Sequence, residues 1–332
     1  MRSALHSKVV VVTGGTAGVG FAAASAFRAR GATTVVLSRN RERVAEAAAK
    51  LGGDGRAYGW PVDMSLPEEV RAAASRIESE IGPIAIWVNN AMTTVFGRFI
   101  DMSLEEFAKA TANTYLAAVN GTHAALEHML PRNRGTIVQV GSALAYQPVP
   151  LQSAYCGAKH AIRGFTNAVR CELMHEHSRV RLTMVQLSAF NTPQFDWARS
   201  YLDHEPRPLP PVFEPELAAE AIVRAAFHPT REYWVGWPAA KTIIGSRMLP
   251  ELADRVAAKK GFEGQLGRPG APRDGNLFES VPRKPGARGR FEDEASMRSR
   301  QWWISTHRQA LILALGAGAL LAGALRSLTR RR

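Results

Sequence analysis

The chain of 332 residues is long enough for one large α/β domain with additions, and its apolar content of 46% is ordinary for a globular protein. The formal charge of +13 is concentrated beyond residue 246, where 17 basic side chains face 8 acidic ones. A nucleic-acid partner calls for a basic stripe on the folded domain, so this distribution argues against one and for an anionic surface such as a membrane.

Taken in order, the first element is the run Lys8-Val-Val-Val-Val-Thr13. Four consecutive β-branched residues predict a strand buried on both faces. Gly14, Gly15, Gly18 and Gly20 follow at once, and Phe21-Ala-Ala-Ala-Ser-Ala-Phe27 is strongly helix-forming. Strand, glycine turn and helix together make a phosphate cradle, because glycine admits close backbone approach and free N–H groups at a helix start attract negative charge.

The spacing T-G-x-x-x-G-x-G from Thr13 to Gly20 differs from the common G-x-G-x-x-G fingerprint. It resembles the short-chain dehydrogenase/reductase family. That resemblance implies a Rossmann-type, doubly wound parallel sheet, with Thr13, Gly14, Thr16, Gly18, Val19 and Gly20 around the cofactor.

A second strand is expected over Thr33–Leu37, followed by Ser38-Arg39-Asn40-Arg41. An NAD-binding chain usually places an acid here, on the ribose 2′-hydroxyl, and this one has none. Either Arg39, with Arg41 or Arg43 in support, pairs with a 2′-phosphate, or the stretch is a solvated helix start. Resemblance to NADP-preferring members favours the former. A third strand over Arg56–Val62 delivers Asp63. The matching family position accepts from the adenine amino group, and capping of a helix near Leu66 is the equal alternative. After a fourth strand, Ile84–Val88, the stretch Asn89-Asn90-Ala91-Met92 resembles the family's N-N-A-G, which puts Asn90 near the adenosine ribose.

A long helical region is expected over Leu104–Met129, interrupted near Gly121. The family's structural asparagine falls at Thr114, with Asn113 one residue earlier and about 100° away on a helix. The usual water-linked proton relay is therefore in doubt. Gly135–Val140 is the fifth strand and ends in Gly141-Ser142. Ser153-Ala-Tyr155-Cys-Gly-Ala-Lys159 then opens another helix, with Tyr155 and Lys159 four apart on one face. The two cysteines, Cys156 and Cys171, both fall in this expected helix and suggest no disulfide framework.

Chemistry accounts for these residue types. Hydride reduction of a ketone leaves an alkoxide that needs a proton, and a free tyrosine, with a pKa of about 10, exchanges one poorly at neutral pH. An ammonium nearby lowers that value, so Lys159 serves Tyr155 and also the nicotinamide ribose, while Ser142 orients the substrate oxygen. The family resemblance assigns the same three roles.

Arg181–Leu187 is expected as the sixth strand. Where the family continues P-G-x-x-x-T, this chain has Ser188-Ala189-Phe190-Asn191-Thr192, so Thr192 keeps its place near the cofactor. Phe195, Trp197, Tyr201 and Leu209 are either a lid for an apolar substrate or ordinary packing. Leu217–Phe227 is expected as a helix and Glu232–Gly236 as the seventh strand, completing a catalytic domain over residues 1–245. His175 and His177, two apart on a helix, make a poor metal pair, and no metal site is expected.

Residues 246–301 are expected to hold a helical piece over Ile243–Lys260 and a Gly/Pro/Arg-rich linker over 261–290 without a packed core. Residues 302–332 carry the apolar run Ala310–Leu325 between tryptophans and terminal arginines. Sixteen residues make about 24 Å of helix against a hydrocarbon core of about 30 Å. The flanks suit a membrane interface, and the alternative is a helix buried between subunits of a homo-oligomer. With no apolar export segment at the N-terminus, the catalytic domain is expected in a reducing cytoplasm, held to the membrane by this helix. The expected activity is NADP(H)-dependent hydride transfer to or from a small carbonyl or alcohol substrate. The competing class is a non-catalytic NADP-binding membrane protein.

Overall fold

The computed structural model describes residues 8–52 and 54–307. Its centre is a parallel sheet of seven strands. They are β1 (Val9–Thr13), β2 (Thr33–Ser38), β3 (Ala57–Pro61), β4 (Ile84–Asn89), β5 (Thr136–Ser142), β6 (Arg181–Leu187) and β7 (Glu232–Val235). The order β3-β2-β1-β4-β5-β6-β7 reverses the direction of travel between β1 and β4, which opens a crevice at their carboxyl ends.

The four valines show why β1 lies inside. Val10 and Val12 pack into one core with Phe27 of α1 (Gly18–Arg28) and Ile222 of α7 (Pro215–Phe227). Val9 and Val11 pack into the opposite core with Ile77 of α3 (Pro67–Glu80) and Met129 of α5 (Ala117–Met129). Alternation sends neighbouring side chains to opposite faces, so a strand with helices on both sides must be apolar at every position.

All seven expected strands are present. The region 104–129 is helical but breaks elsewhere than expected. α4 (Leu104–Thr111) passes through a π-helical turn at Ala112–Leu116 into α5. Gly121 stays helical, and a Cβ there would come within 2.2 Å of Asn89 Oδ1, so its role is close packing. The expected piece over 243–260 is α8 (Trp237–Met248) and α9 (Pro250–Val256), divided where Pro250 lacks an N–H.

The stretch 261–290, expected as a linker, is packed. Leu266–Pro269 pairs antiparallel with His204–Pro206, and Leu277 is fully buried beside Val95 and Ala154. Just beyond it, Phe291 packs edge-on against Phe195 with centroids 5.7 Å apart. Composition alone misled here, because the apolar residues are few and widely spaced yet each meets a site on the preceding domain. Residues 300–307 are helical and lie along β7, with Gln301 bonded to Trp234 O and Gly236 N, and Trp302 against Tyr233. The apolar run Ala310–Leu325 lies outside the described residues. Among those described, no helix is long and apolar enough to cross a membrane.

Candidate active site

The carboxyl ends of β1, β2, β4, β5 and β6 open into a cavity of about 1060 Å³. At its floor the chain turns from β1 into α1 with Gly14 at φ +63° and Gly18 at φ +54°, a region that glycine enters without strain. A Cβ on Gly20 would come within 2.3 Å of Gly14 O and 2.4 Å of Asn90 Nδ2, so only glycine lets α1 start this close. Thr13 and Asn90 hold the turn from beneath. Thr13 Oγ1 accepts from the Asn90 and Ala91 N–H groups at 3.0 Å, and Asn90 Nδ2 donates to Thr13 O and Gly14 O. These two are braces between strand ends, while Thr16, Gly18 and Val19 line the cavity.

At the β2 end, Thr16 and Ser38 hydroxyls lie 3.5 Å apart. Arg39 lines the cavity, yet its guanidinium donates to the carbonyls of Asn276, Leu277 and Phe278 at 2.8 to 3.4 Å. Arg41 is exposed. Arg43 lies at the cavity wall over the Trp197 ring, 4.9 Å from its centroid; the Glu46 carboxylate acts on its charge from nearby, but among the described residues no acid pairs with the guanidinium within 4.0 Å. Asp63 lines the cavity too, but it does not cap α3, whose N-cap is Leu66. Its Oδ1 accepts from the Ser65 N–H and hydroxyl, at 2.9 and 2.7 Å. Burial pushes this carboxyl upward, but the Ser65 bonds, with Lys109 and Arg39 nearby, hold it below its usual range.

The catalytic candidates meet where β5 faces α6 (Ser153–His175). Ser142 ends β5, and its hydroxyl accepts from the Leu144 N–H at 3.1 Å. Tyr155 and Lys159 project from the first turns of α6 into the same cavity, with Lys159 Nζ 5.5 Å from the Tyr155 ring centroid. Lys159 is buried and donates to Val140 O at 2.7 Å. Burial lowers its pKa to about 8. Burial raises the Tyr155 phenol well above its usual value, and the Ser142 hydroxyl beside it pulls the other way.

The π-helical turn settles where residues 113 and 114 go. Thr114 is fully buried, with Oγ1 donating to Thr93 O at 2.9 Å and accepting from Thr93 N at 3.2 Å. Asn113 Nδ2 reaches Thr93 Oγ1 and Leu277 O. In a regular helix these neighbours diverge; the wider turn lets both engage Thr93. Thr192 lines the cavity against Gly18, whose added Cβ would lie 3.2 Å from the threonine side chain. Phe195, Trp197 and Leu209 border the cavity, whereas Tyr201 bonds to Glu106 behind it. The sequence reading missed Asn276 and Ser280, because nothing in a Gly/Pro-rich stretch marks them as cavity wall. His175 and His177 are exposed, and no metal-holding cluster exists among the described residues.

The family model for short chain dehydrogenases matches residues 8–200. The chain belongs to the short-chain dehydrogenase family. It is 31% identical over 326 residues to the uncharacterized oxidoreductase YxnA of Bacillus subtilis, covering 96% of this chain and 90% of that protein. It is 30% identical over 196 residues to dehydrogenase/reductase SDR family member 7B of Mus musculus, covering 58% and 60% of the two chains. A metagenomic short-chain oxidoreductase solved in complex with NADP shares the fold at a TM-score of 0.59 and 23% identity, over 70% of this chain and 97% of that one. Membership makes this chain an oxidoreductase of a family that uses nicotinamide cofactors, and its seven-stranded parallel sheet is the family's Rossmann-like core.

Proposed function

We propose that the chain is an NADP(H)-dependent reductase or dehydrogenase acting on an apolar carbonyl or alcohol. The observation that carries this reading is the convergence of Ser142, Tyr155 and Lys159 on the cavity that the Gly14–Gly20 cradle enters. The cradle fits a dinucleotide, since the Gly20 close approach brings the start of α1 to the cavity, where Gly18 N is bonded to Gly286 O and Val19 lines the wall at the next position. Thr16, Ser38 and Arg43 suit the adenosine end, while Lys159 and Thr192 suit the nicotinamide end. A bound nicotinamide dinucleotide supplies or accepts the hydride.

The protein's own part is to handle the proton. Ser142 orients the substrate oxygen toward the Tyr155 phenol, which gives its proton to the developing alkoxide. Lys159, charged at neutral pH, stabilises the phenolate that remains. Phe195, Leu209, Leu252 and Val256 give the cavity an apolar wall. NADPH absorbance followed with a panel of apolar ketones, with NADH in parallel, tests the reading. Oxidation of neither cofactor with any ketone, together with no binding of either, would sink it.

We also propose that the full chain associates with membranes through Ala310–Leu325. Trp237, Met248 and Leu252 are exposed on α8 and α9 near the cavity mouth, with Lys241, Arg247 and Arg255 beside Glu251 and Asp254, so the apolar side chains more than the charge suit a lipid surface. Removing residues 308–332 should convert a detergent-extracted protein into one released by buffer, with unchanged NADPH affinity. Release of the intact chain by salt alone would remove the apolar helix from the account.

A further inference from the structure

We propose that residues 276–291 are a strap forming the outer wall of the nucleotide site, that Arg39 is its anchor, and that Arg43 is the residue that reads the 2′-phosphate. The strap is tied to the cradle at Thr16 and Gly18 and to the β2 end and the helix after it at Arg39, Asn40 and Lys50. Gly18 N donates to Gly286 O at 2.9 Å, and Gly286 N donates back to Thr16 O at 3.3 Å. Asn40 Nδ2 holds Ser280 Oγ at 3.0 Å, and Lys50 Nζ holds Pro285 O at 2.7 Å. Leu277 and Phe291 anchor the strap's two ends in the interior.

Arg39 is the main tie. A guanidinium presents several donors in one plane, and Arg39 directs them at three successive strap carbonyls. A phosphate at Arg39 competes with those carbonyls, and each one released leaves strap backbone unpaired. Arg43 stands differently. Glu46, one helical turn on, is near enough to act on its charge, but among the described residues no carboxylate pairs with the guanidinium within 4.0 Å and no backbone carbonyl is bonded to it; it lies over Trp197, and it shares the cavity with Ser38 and Thr16. Burial is the main cause that lowers its pKa, with the Arg39 charge adding to it and the Glu46 carboxylate opposing it. The cavity persists beneath the strap, with Asn276 and Ser280 lining it, so the strap is a roof and does not fill the site.

The inference rests on the dinucleotide reading, and two readouts keep them separable: dissociation constants for NADPH and NADH, and the rate of trypsin cleavage after Arg283 or Arg288 without cofactor. Arg43→Ala should weaken NADPH about 10- to 150-fold, the worth of one charge-assisted contact, and leave NADH unchanged. Arg39→Ala should weaken both by a similar factor of about ten, since it lowers the fraction of chains with the strap closed. It should also speed tryptic cleavage several-fold. Lys50→Ala, outside the cavity, should do the same more weakly. A loss confined to NADPH in Arg39→Ala, or an unchanged ratio in Arg43→Ala, overturns the assignment. Tighter binding of both cofactors in Arg39→Ala makes the strap a plug and overturns it as well. If the unaltered chain binds neither dinucleotide, the NADP reading fails, and an unchanged trypsin rate in Arg39→Ala would then dispose of the strap.

Discussion

The sheet domain up to β7 and the extension that follows it are held together by different means, and the expected boundary at 245 falls inside α8. The first is built on periodic apolar strands, with Val10 and Val12 on one side of the sheet and Val9 and Val11 on the other. The second has scattered apolar anchors such as Leu277 and Phe291, one short strand pairing, side-chain ties such as Gln152–Gln265 and Arg207–Glu294, and backbone carbonyls held by Arg39, Lys50 and Gly18. Periodic burial announces itself in sequence, whereas a carbonyl is present at every residue and announces nothing. A segment with almost no pattern can therefore still line a cavity.

The largest effect should fall on the domain side of this comparison. Tyr155→Phe should lower turnover by about 10²- to 10⁴-fold with NADPH affinity nearly intact, because the ring still packs while the proton donor is gone. Near-normal turnover of an identified substrate in that variant would refute the mechanism. On the extension side, Leu277→Ala should cost about 2–5 kcal/mol in denaturant unfolding, the range for a fully buried leucine. A linker residue would cost close to nothing, so the denaturation midpoint decides whether the extension folds with the domain.

Titration sharpens the contrast further. Lys159 has its pKa lowered by burial to about 8, so carbonyl reduction should decline as pH rises through that value and the phenolate loses its ammonium neighbour. Stability moves the other way. Between about 8 and the ordinary lysine value the unfolded chain binds more protons, so the cost of burying this charge is present below pH 8 and is relieved as pH rises to about 10.4. Lys159→Arg should move the decline in rate to higher pH, and a profile unchanged in that variant would assign the titration to another group. The smallest effect is expected for Thr114→Asn. Thr114 already makes both of its bonds to Thr93, and Asn113 occupies the neighbouring wall. Turnover should stay within a few-fold, and a large gain would show that threonine limits proton transfer.

Much of the candidate site's geometry is legible in the sequence. Tyr155 and Lys159 are four apart on a helix, and Ser142 ends a strand, so local geometry places them with little help. The cradle was legible because Gly14, Gly18 and Gly20 mark where a Cβ has no room. The turn at 112–116 was not, because a π-helical turn has no composition of its own and arises here as Asn113 and Thr114 both engage Thr93. Asp63 lay between two readings, and only the bonds to Ser65 removed helix capping.

By itself the sequence determined the seven parallel strands, the glycine turn and the serine–tyrosine–lysine set, because each depends on residues close in the chain or on a repeating apolar pattern. The tertiary structure alone decided which arginine is bonded to backbone carbonyls. Arg39 and Arg43 carry the same charge four residues apart, and nothing local distinguishes them. Both line the cavity, and the difference comes from Asn276, Leu277 and Phe278, more than two hundred residues away, whose carbonyls take up the Arg39 guanidinium while Arg43 lies over Trp197.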